Sequence, residues 1–208
     1  MSASENTDVV QPESFDFTLA NLEKAKLIIA KYPEGRQSSA VMPLLDLAQR
    51  QLGWIPRAAM DEIARLLDMA PIRVYEVATF YSMYNLKPVG KYLIQVCRTT
   101  PCWLRGADNL TDYLKQRLGV GFKEVTKDGL FSMMEVECLG ACCNAPMVQI
   151  NDDFYEDLTP DLLGRVLDDL AAGKQPKKGP QNGRRGSMAE DGPTTLKEIP
   201  LTYDMAGD

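Results

Sequence analysis

Histidine is absent from the 208-residue chain. That one absence excludes a Ser–His–Asp triad, an HExxH metalloprotease, a Rieske His pair and a histidine-ligated haem. Any metal must be held by cysteine, carboxylate or backbone groups. Acid–base chemistry near neutral pH would need a strongly perturbed Glu, Lys or Cys. A clustered positive surface is also missing. The net charge is −6 and no long basic run occurs, so a nucleic-acid partner is not expected. No apolar stretch is long enough to span a bilayer, and direct membrane insertion is not expected either. Residues 1–11 have no basic n-region, no apolar h-region and no Arg-rich leader pattern. A chain that starts this way at Met1 is expected to be cytoplasmic, or already processed. The phosphate-cradling patterns GxGxxG and GxxxxGK(S/T) are lacking as well, and Gly119-Val120-Gly121 reads as a helix stop. The chain itself is therefore not expected to bind NADH or FMN. Nor does a paired-carboxylate site stand out: Asp152-Asp153, Glu156-Asp157 and Asp168-Asp169 read as a turn and solvated faces, with an acidic docking surface as the alternative.

What is present is ordinary globular usage, 45% apolar and 25% charged, in a chain long enough for one medium domain or two small ones. Residues 1–14 read as a flexible N-terminus and 15–88 as a small helical bundle. In the bundle, Thr18 can cap a helix carrying Leu19, Leu22, Ala25, Ile28 and Ile29. Ser38 or Ser39 can cap a second with Val41, Leu44, Leu45, Ala48 and Leu52 inward. A third runs from about Arg57 to Leu67, and Pro71 opens a fourth.

The pattern changes after Pro88-Val89-Gly90. Tyr92–Val96 is a short β-forming run ending at Cys97. Residues 103–118 return to helical period, and 131–137 alternate as a strand ending at Cys138. Met147–Ile150 and Phe154-Tyr155 flank a turn at Asn151-Asp152-Asp153, and Thr159-Pro160-Asp161 starts a last helix. This β-α-β-β-β-α order over residues 89–174 is the thioredoxin-like one, with a right-handed parallel crossover followed by a hairpin. The fold class expected is mixed α/β: a helical bundle followed by that domain. Residues 175–208 are rich in Pro, Gly and charge and read as an extended tail, ordered on a partner or, equally from composition, a frayed end.

Cysteine carries the chemistry. The five thiols include Cys97-x4-Cys102 and, 35 residues later, Cys138-x3-Cys142, followed at once by Cys143. An odd count in a leaderless chain speaks against a secreted disulfide framework. Each pair begins at the carboxyl end of a parallel strand, where neighbouring strands lie about 5 Å apart, so the two loops can converge on one small object. A [2Fe–2S] core takes two thiolates per iron, and two pairs from two loops match it. Structural zinc also takes four cysteines, usually from tighter C-x2-C knuckles, and a zinc-stabilised scaffold without redox function is the competing class. Spacing does not separate Cys142 from Cys143 as fourth ligand. Gly140 and Ala141 leave backbone N–H groups near the sulfurs, and Thr99 and Thr100 offer hydroxyls. Trp103 could shield the site, but Trp54 and Trp103 both read first as core aromatics.

The segments Cys97-Arg98-Thr99-Thr100-Pro101-Cys102, Val136-Glu137-Cys138-Leu139-Gly140-Ala141-Cys142 and Asn144-Ala145-Pro146-Met147 resemble the thioredoxin-like [2Fe–2S] subunit of NADH:quinone oxidoreductase, respiratory complex I. Val74-Tyr75-Glu76-Val77-Ala78-Thr79-Phe80-Tyr81 and Glu156-Asp157-Leu158-Thr159 extend the likeness to nearly the whole chain, closest to the alphaproteobacterial and mitochondrial forms. The resemblance implies one [2Fe–2S] cluster held by Cys97, Cys102, Cys138 and Cys142. It implies an electron-transfer role in a proton-translocating NADH dehydrogenase, beside a partner subunit that carries FMN and the NADH site. It further implies a place at the cytoplasmic side of the bacterial inner membrane, or the matrix side for a processed mitochondrial chain. The homologous subunit of an NAD-linked hydrogenase or formate dehydrogenase is the alternative. The chain departs from the family in having Cys143 where a residue such as valine is common. Pro146 stands where thioredoxin-like folds often carry a cis proline.

Overall fold

A computed structural model of the chain describes residues 9–189, 191–192 and 194–195. The first eight residues of the expected flexible N-terminus, and residues 190, 193 and 196–208 of the expected tail, lie outside the described residues. The chain divides into two compact units, Met1–Lys91 and Tyr92–Asp208.

In the first unit four helices bury one apolar cluster. Thr18 caps α1 (Leu19–Ile29), its hydroxyl accepting from the Asn21 N–H at 3.3 Å. Within α1, Ala25 is buried whereas Leu19 is 85% exposed, against the expectation that Leu19 faces inward. The apolar stripe of the helix starts at Leu22 and continues through Ala25, Ile28 and Ile29, the set spaced at three and four residues. Ser38 and Ser39 do not cap α2 (Val41–Leu52). They lie inside a 3-10 turn, Gln37–Ala40, that runs directly into the helix and leaves Ala40 at the cap position. Val41, Leu44, Leu45 and Ala48 then repeat at helical spacing and are buried, and Gly53, at φ +82°, ends the helix. Leu52, expected inward, is 43% exposed at that fraying end. Met60, Ile63 and Ala64 of α3 (Arg57–Leu66) and Val74 and Ala78 of α4 (Pro71–Phe80) complete the cluster. Tyr84 joins it and donates its hydroxyl to the Met42 carbonyl at 3.0 Å; burial pushes that phenol up to about 12.

Among its described residues the second unit carries a five-stranded sheet in the order β2 (Phe131–Val136), β1 (Tyr92–Cys97), β3 (Val148–Ile150), β4 (Asp153–Glu156), β5 (Gly179–Pro180). Strand β1 (Tyr92–Cys97) runs parallel to β2 (Phe131–Val136), with Tyr92 level with Phe131 and Cys97 level with Val136. The crossover between them is two helices rather than one. α5 (Thr100–Leu104) stops at Arg105, and α6 (Ala107–Leu118) restarts after Gly106, whose φ of +96° suits glycine. That break turns Leu104 outward, 70% exposed, although the period places it on the apolar face. β3 (Val148–Ile150) pairs antiparallel with β1 and forms a hairpin with β4 (Asp153–Glu156); Asn151 at the turn has φ +55° and accepts the Leu93 N–H at 2.9 Å. Thr159 caps α7 (Pro160–Ala171) by accepting from Leu162 N–H at 3.2 Å. Ile94, Val96, Met133, Val148, Leu163 and Leu167 meet between sheet and helices and are almost fully buried, each such side chain stabilising the fold by about 1.5–3 kcal/mol.

One strand has no signal in the sequence. Gly179–Pro180, in the segment that reads as tail, forms β5 beside Tyr155 and Glu156 of β4. Lys178 pairs with Asp153 at 2.7 Å and Gln181 N–H donates to the Glu156 carbonyl at 3.0 Å.

Candidate functional site

The two cysteine pairs leave the same end of adjacent strands. Cys97 is the last residue of β1, and Cys102 follows on α5 because the chain turns at Arg98-Thr99. Cys138 comes two residues after β2 ends, and Cys142 opens a 3-10 turn, Cys142–Asn144. Cys97 and Cys102 are buried, at 2% and 1% exposure, in a small apolar cluster with Ala107, Ala145 and Met147. Cys138, Cys142 and Cys143 are exposed. The site thus has an inner pair set in packed side chains and an outer pair at the surface.

Cys138 Sγ and Cys142 Sγ are 3.3 Å apart, and Cys97 and Cys102 are near enough to shift each other's ionisation. The pairs also feel one another: the Cys97 charge acts on Cys138 and Cys142, and Thr99, whose hydroxyl is 3.4 Å from Cys97 Sγ, also favours the Cys138 thiolate. Among the described residues, no three His, Cys, Asp or Glu side chains gather tightly enough for a single metal ion. The arrangement is two plus two.

Hydrogen-bond donors point at the sulfurs. Thr99 Oγ1 is 3.4 Å from Cys97 Sγ, and Gly140 N–H donates to Cys138 Sγ at 3.4 Å, with Gly140 at φ +88°. The Leu139 backbone also favours the Cys97 thiolate, an influence that spacing does not suggest. Thr100, expected to contribute similarly, heads α5 and is exposed.

These contacts split each pair electrostatically. At Cys97 burial is the largest influence and opposes the thiolate, yet Thr99, Leu139 and Cys102 together lower its pKa. Burial, then the neighbouring Cys97, pushes Cys102 up to about 12. The Gly140 N–H lowers Cys138, whereas Cys142 is raised by its contact with Cys138. Two adjacent thiolates repel, so within each pair ionisation of one thiol disfavours ionisation of the other. Positive charge placed between thiols favours their ionised form, and the iron of a [2Fe–2S] cluster would provide such charge. The donor set fits such a group.

Cys143 is oriented elsewhere. Its thiol donates to Asn144 Oδ1 at 3.1 Å, and its carbonyl accepts from Arg184 Nη1 at 2.7 Å. Asp157 is not on a solvated face as expected. It is buried, paired with Arg184 at 2.9 Å and bonded to Asn144 Nδ2 at 3.0 Å. Asp153, Asp168 and Asp169 are engaged with Lys178, Arg117 and Lys174. Trp103 is no core aromatic: it is 56% exposed and lines an open cavity of about 300 Å³ with Arg98, Thr99 and Glu135. Trp54 is half-buried. Arg98 bridges the ends of the crossover, bonding Glu135 at 2.8 Å and Asp108 at 2.6 Å. The Ala145–Pro146 peptide is cis, as expected.

Residues 25–171 match the family model described as thioredoxin-like [2Fe-2S] ferredoxin. The E subunit of the NADH-quinone oxidoreductase of Rickettsia bellii is 58% identical over 158 residues, 76% of this chain and 95% of the relative. The mitochondrial NADH dehydrogenase [ubiquinone] flavoprotein 2 of Dictyostelium discoideum is 48% identical over 198 residues, 95% of this chain and 80% of the relative. Among solved structures, an NAD+-reducing [NiFe]-hydrogenase in the air-oxidized state superimposes with a TM-score of 0.56 at 18% identity. That match covers 62% of this chain, which spans only 23% of the hydrogenase chain, and it speaks to the fold alone.

Proposed function

The chain belongs to the thioredoxin-like [2Fe–2S] ferredoxin family, and from that premise we propose that it is the electron-transfer subunit of an NADH:quinone oxidoreductase, respiratory complex I. The observation that carries this reading is the two-plus-two thiol arrangement at the ends of β1 and β2, in a chain that aligns over nearly the full length of its Rickettsia bellii relative. The chain carries one [2Fe–2S] cluster, and its ligands are Cys97, Cys102, Cys138 and Cys142. The fourth is Cys142 because its sulfur meets Cys138 while Cys143 is turned to Asn144.

When bound, such a cluster supplies one-electron donor and acceptor chemistry. The protein's own residues do the rest. The four thiols fix the position. Thr99 and Gly140 place hydrogen-bonding groups at sulfur and the Leu139 backbone favours charge on Cys97, which stabilises charge there and tunes the potential. Ala107, Ala145 and Met147 pack around the inner pair and keep water from it. The outer pair opens to the surface, where a partner subunit can come close enough for transfer.

The partner is the subunit carrying FMN and the NADH site. Among the described residues no helix is long and apolar enough to cross a membrane, and the chain belongs to the peripheral part of a membrane-associated complex, on its cytoplasmic (or matrix) side. Affinity isolation of the tagged chain from its own cells tests this: an FMN-containing assembly with NADH dehydrogenase activity is expected. Recovery with a hydrogenase or formate dehydrogenase instead would refute the complex I reading and leave the family intact.

A further inference from the structure

Arg184 lies in a segment, Gly183-Arg184-Arg185-Gly186, whose composition promises only solvated chain. Its side chain is nevertheless only 7% exposed, and that of its partner Asp157 3%. A charge is buried this deeply only where an opposite charge or fixed acceptors offset the lost water. Arg184 meets two partners: Nη2 is ion-paired with Asp157 Oδ1 at 2.9 Å without the geometry of a hydrogen bond, and Nη1 donates to the Cys143 carbonyl at 2.7 Å, 41 residues away. Asn144 ties the same pieces together. Its Nδ2 donates to Asp157 Oδ2 at 3.0 Å and to the Gly186 carbonyl at 2.9 Å, while its Oδ1 accepts from Cys143. Asp157 N–H in turn donates to the Asn144 carbonyl at 2.8 Å. A few residues earlier, β5 and Gln181 zip the segment to β4.

The turn held in this way is Cys142–Asn144, the one that presents Cys142. The preceding residues, 137–141, have no regular structure to hold them. We propose that Arg184 is a positioning residue for the cysteine loop: the C-terminal segment is a clasp that fixes the Cys142–Asn144 turn from behind, so that retention and potential of the cluster depend on a side chain that touches no sulfur. This rests on the reading of Cys138 and Cys142 as ligands. It also gives Cys143 a task, since its carbonyl and thiol are the loop's end of the clasp.

The test uses the full chain carrying Arg184→Gln, Arg184→Lys or Gln181→Pro. Amide hydrogen exchange is measured first on the metal-free protein, where the result does not depend on whether any cluster binds. Arg184→Gln is expected to speed exchange at residues 139–145 by about ten-fold or more while Ile94 and Met133 stay within about two-fold. In the cluster-loaded chain the same variant should lose iron to a chelator about ten-fold faster and shift the EPR g-values and midpoint potential. Arg184→Lys keeps the charge opposite Asp157 but cannot fork to both partners, so it should fall between. Gln181→Pro removes the N–H given to Glu156 and leaves the buried pair alone; it should act in the same direction, more weakly. Unchanged loop exchange in Arg184→Gln would overturn the proposal. So would an equal rise in β1 and β2, which marks a general structural role. A parent chain that binds no iron would overturn the ligand reading, which the exchange result does not require.

Discussion

Replacing Cys142 or Cys143 with alanine should produce opposite effects on fold and on metal. Cys142 is exposed, and its sulfur contacts chiefly another exposed thiol, Cys138, at 3.3 Å. In the metal-free chain Cys142→Ala therefore leaves the unfolding midpoint unchanged, as surface substitutions generally do. Cys143 gives its thiol proton to Asn144 Oδ1 at 3.1 Å, inside the buried Asp157–Arg184 network. A thiol is a weak donor and this one is partly solvated, so losing the bond costs about 0.5 kcal/mol, a midpoint shift of about 2 °C. Iron binding should run the other way. Cys142→Ala removes one of four thiolates and should bring iron from two per chain to near zero, whereas Cys143→Ala keeps both. The assay is thermal unfolding of the metal-free variants beside iron and sulfide analysis of the reconstituted ones. If Cys143→Ala loses the cluster and Cys142→Ala retains it, the assignment of the fourth ligand is wrong. If both retain it, each variant still holds four thiols, either cysteine serves as fourth ligand, and the assignment to Cys142 alone is wrong.

Ile94 has no exposed surface at the centre of the sheet, so Ile94→Ala should destabilise by about 2–5 kcal/mol in urea unfolding; a loss below about 1 kcal/mol would mean the core relaxes far more than its packing implies. Thr159→Ala removes the cap of α7 and should cost about 1 kcal/mol in the same assay, with Thr159→Ser restoring most of it. Thiol alkylation of the metal-free chain at a mildly alkaline pH, followed by mass spectrometry, should modify exposed Cys138, whose pKa is lowered, well before buried Cys102, whose pKa is pushed up to about 12; equal rates would contradict the electrostatic split within the pairs.

Features that depend on local pattern are legible in the sequence. The strand-helix-strand order, the hairpin at Asn151, the caps at Thr18 and Thr159 and the strand-end placement of both cysteine pairs follow from periodicity and turn chemistry within a few residues. Those that depend on distant partners are not. β5 is two residues, glycine and proline, and exists only because β4 offers a free edge. Arg184 is buried because Asp157 and the Cys143 carbonyl converge on it, and no spacing encodes that. Leu104 and Trp103 depart from expectation because the helical period runs straight through Gly106, where the backbone turns into the left-handed region. Ser38 and Ser39 have the chemistry of caps, but an extra 3-10 turn ahead of α2 absorbs them.

A four-thiolate [2Fe–2S] site is tested most directly by EPR of the dithionite-reduced full chain, with iron and sulfide determined on the same sample. A single spin-half signal with two irons and two sulfides per chain is the expected result. One zinc per chain and no signal would contradict it.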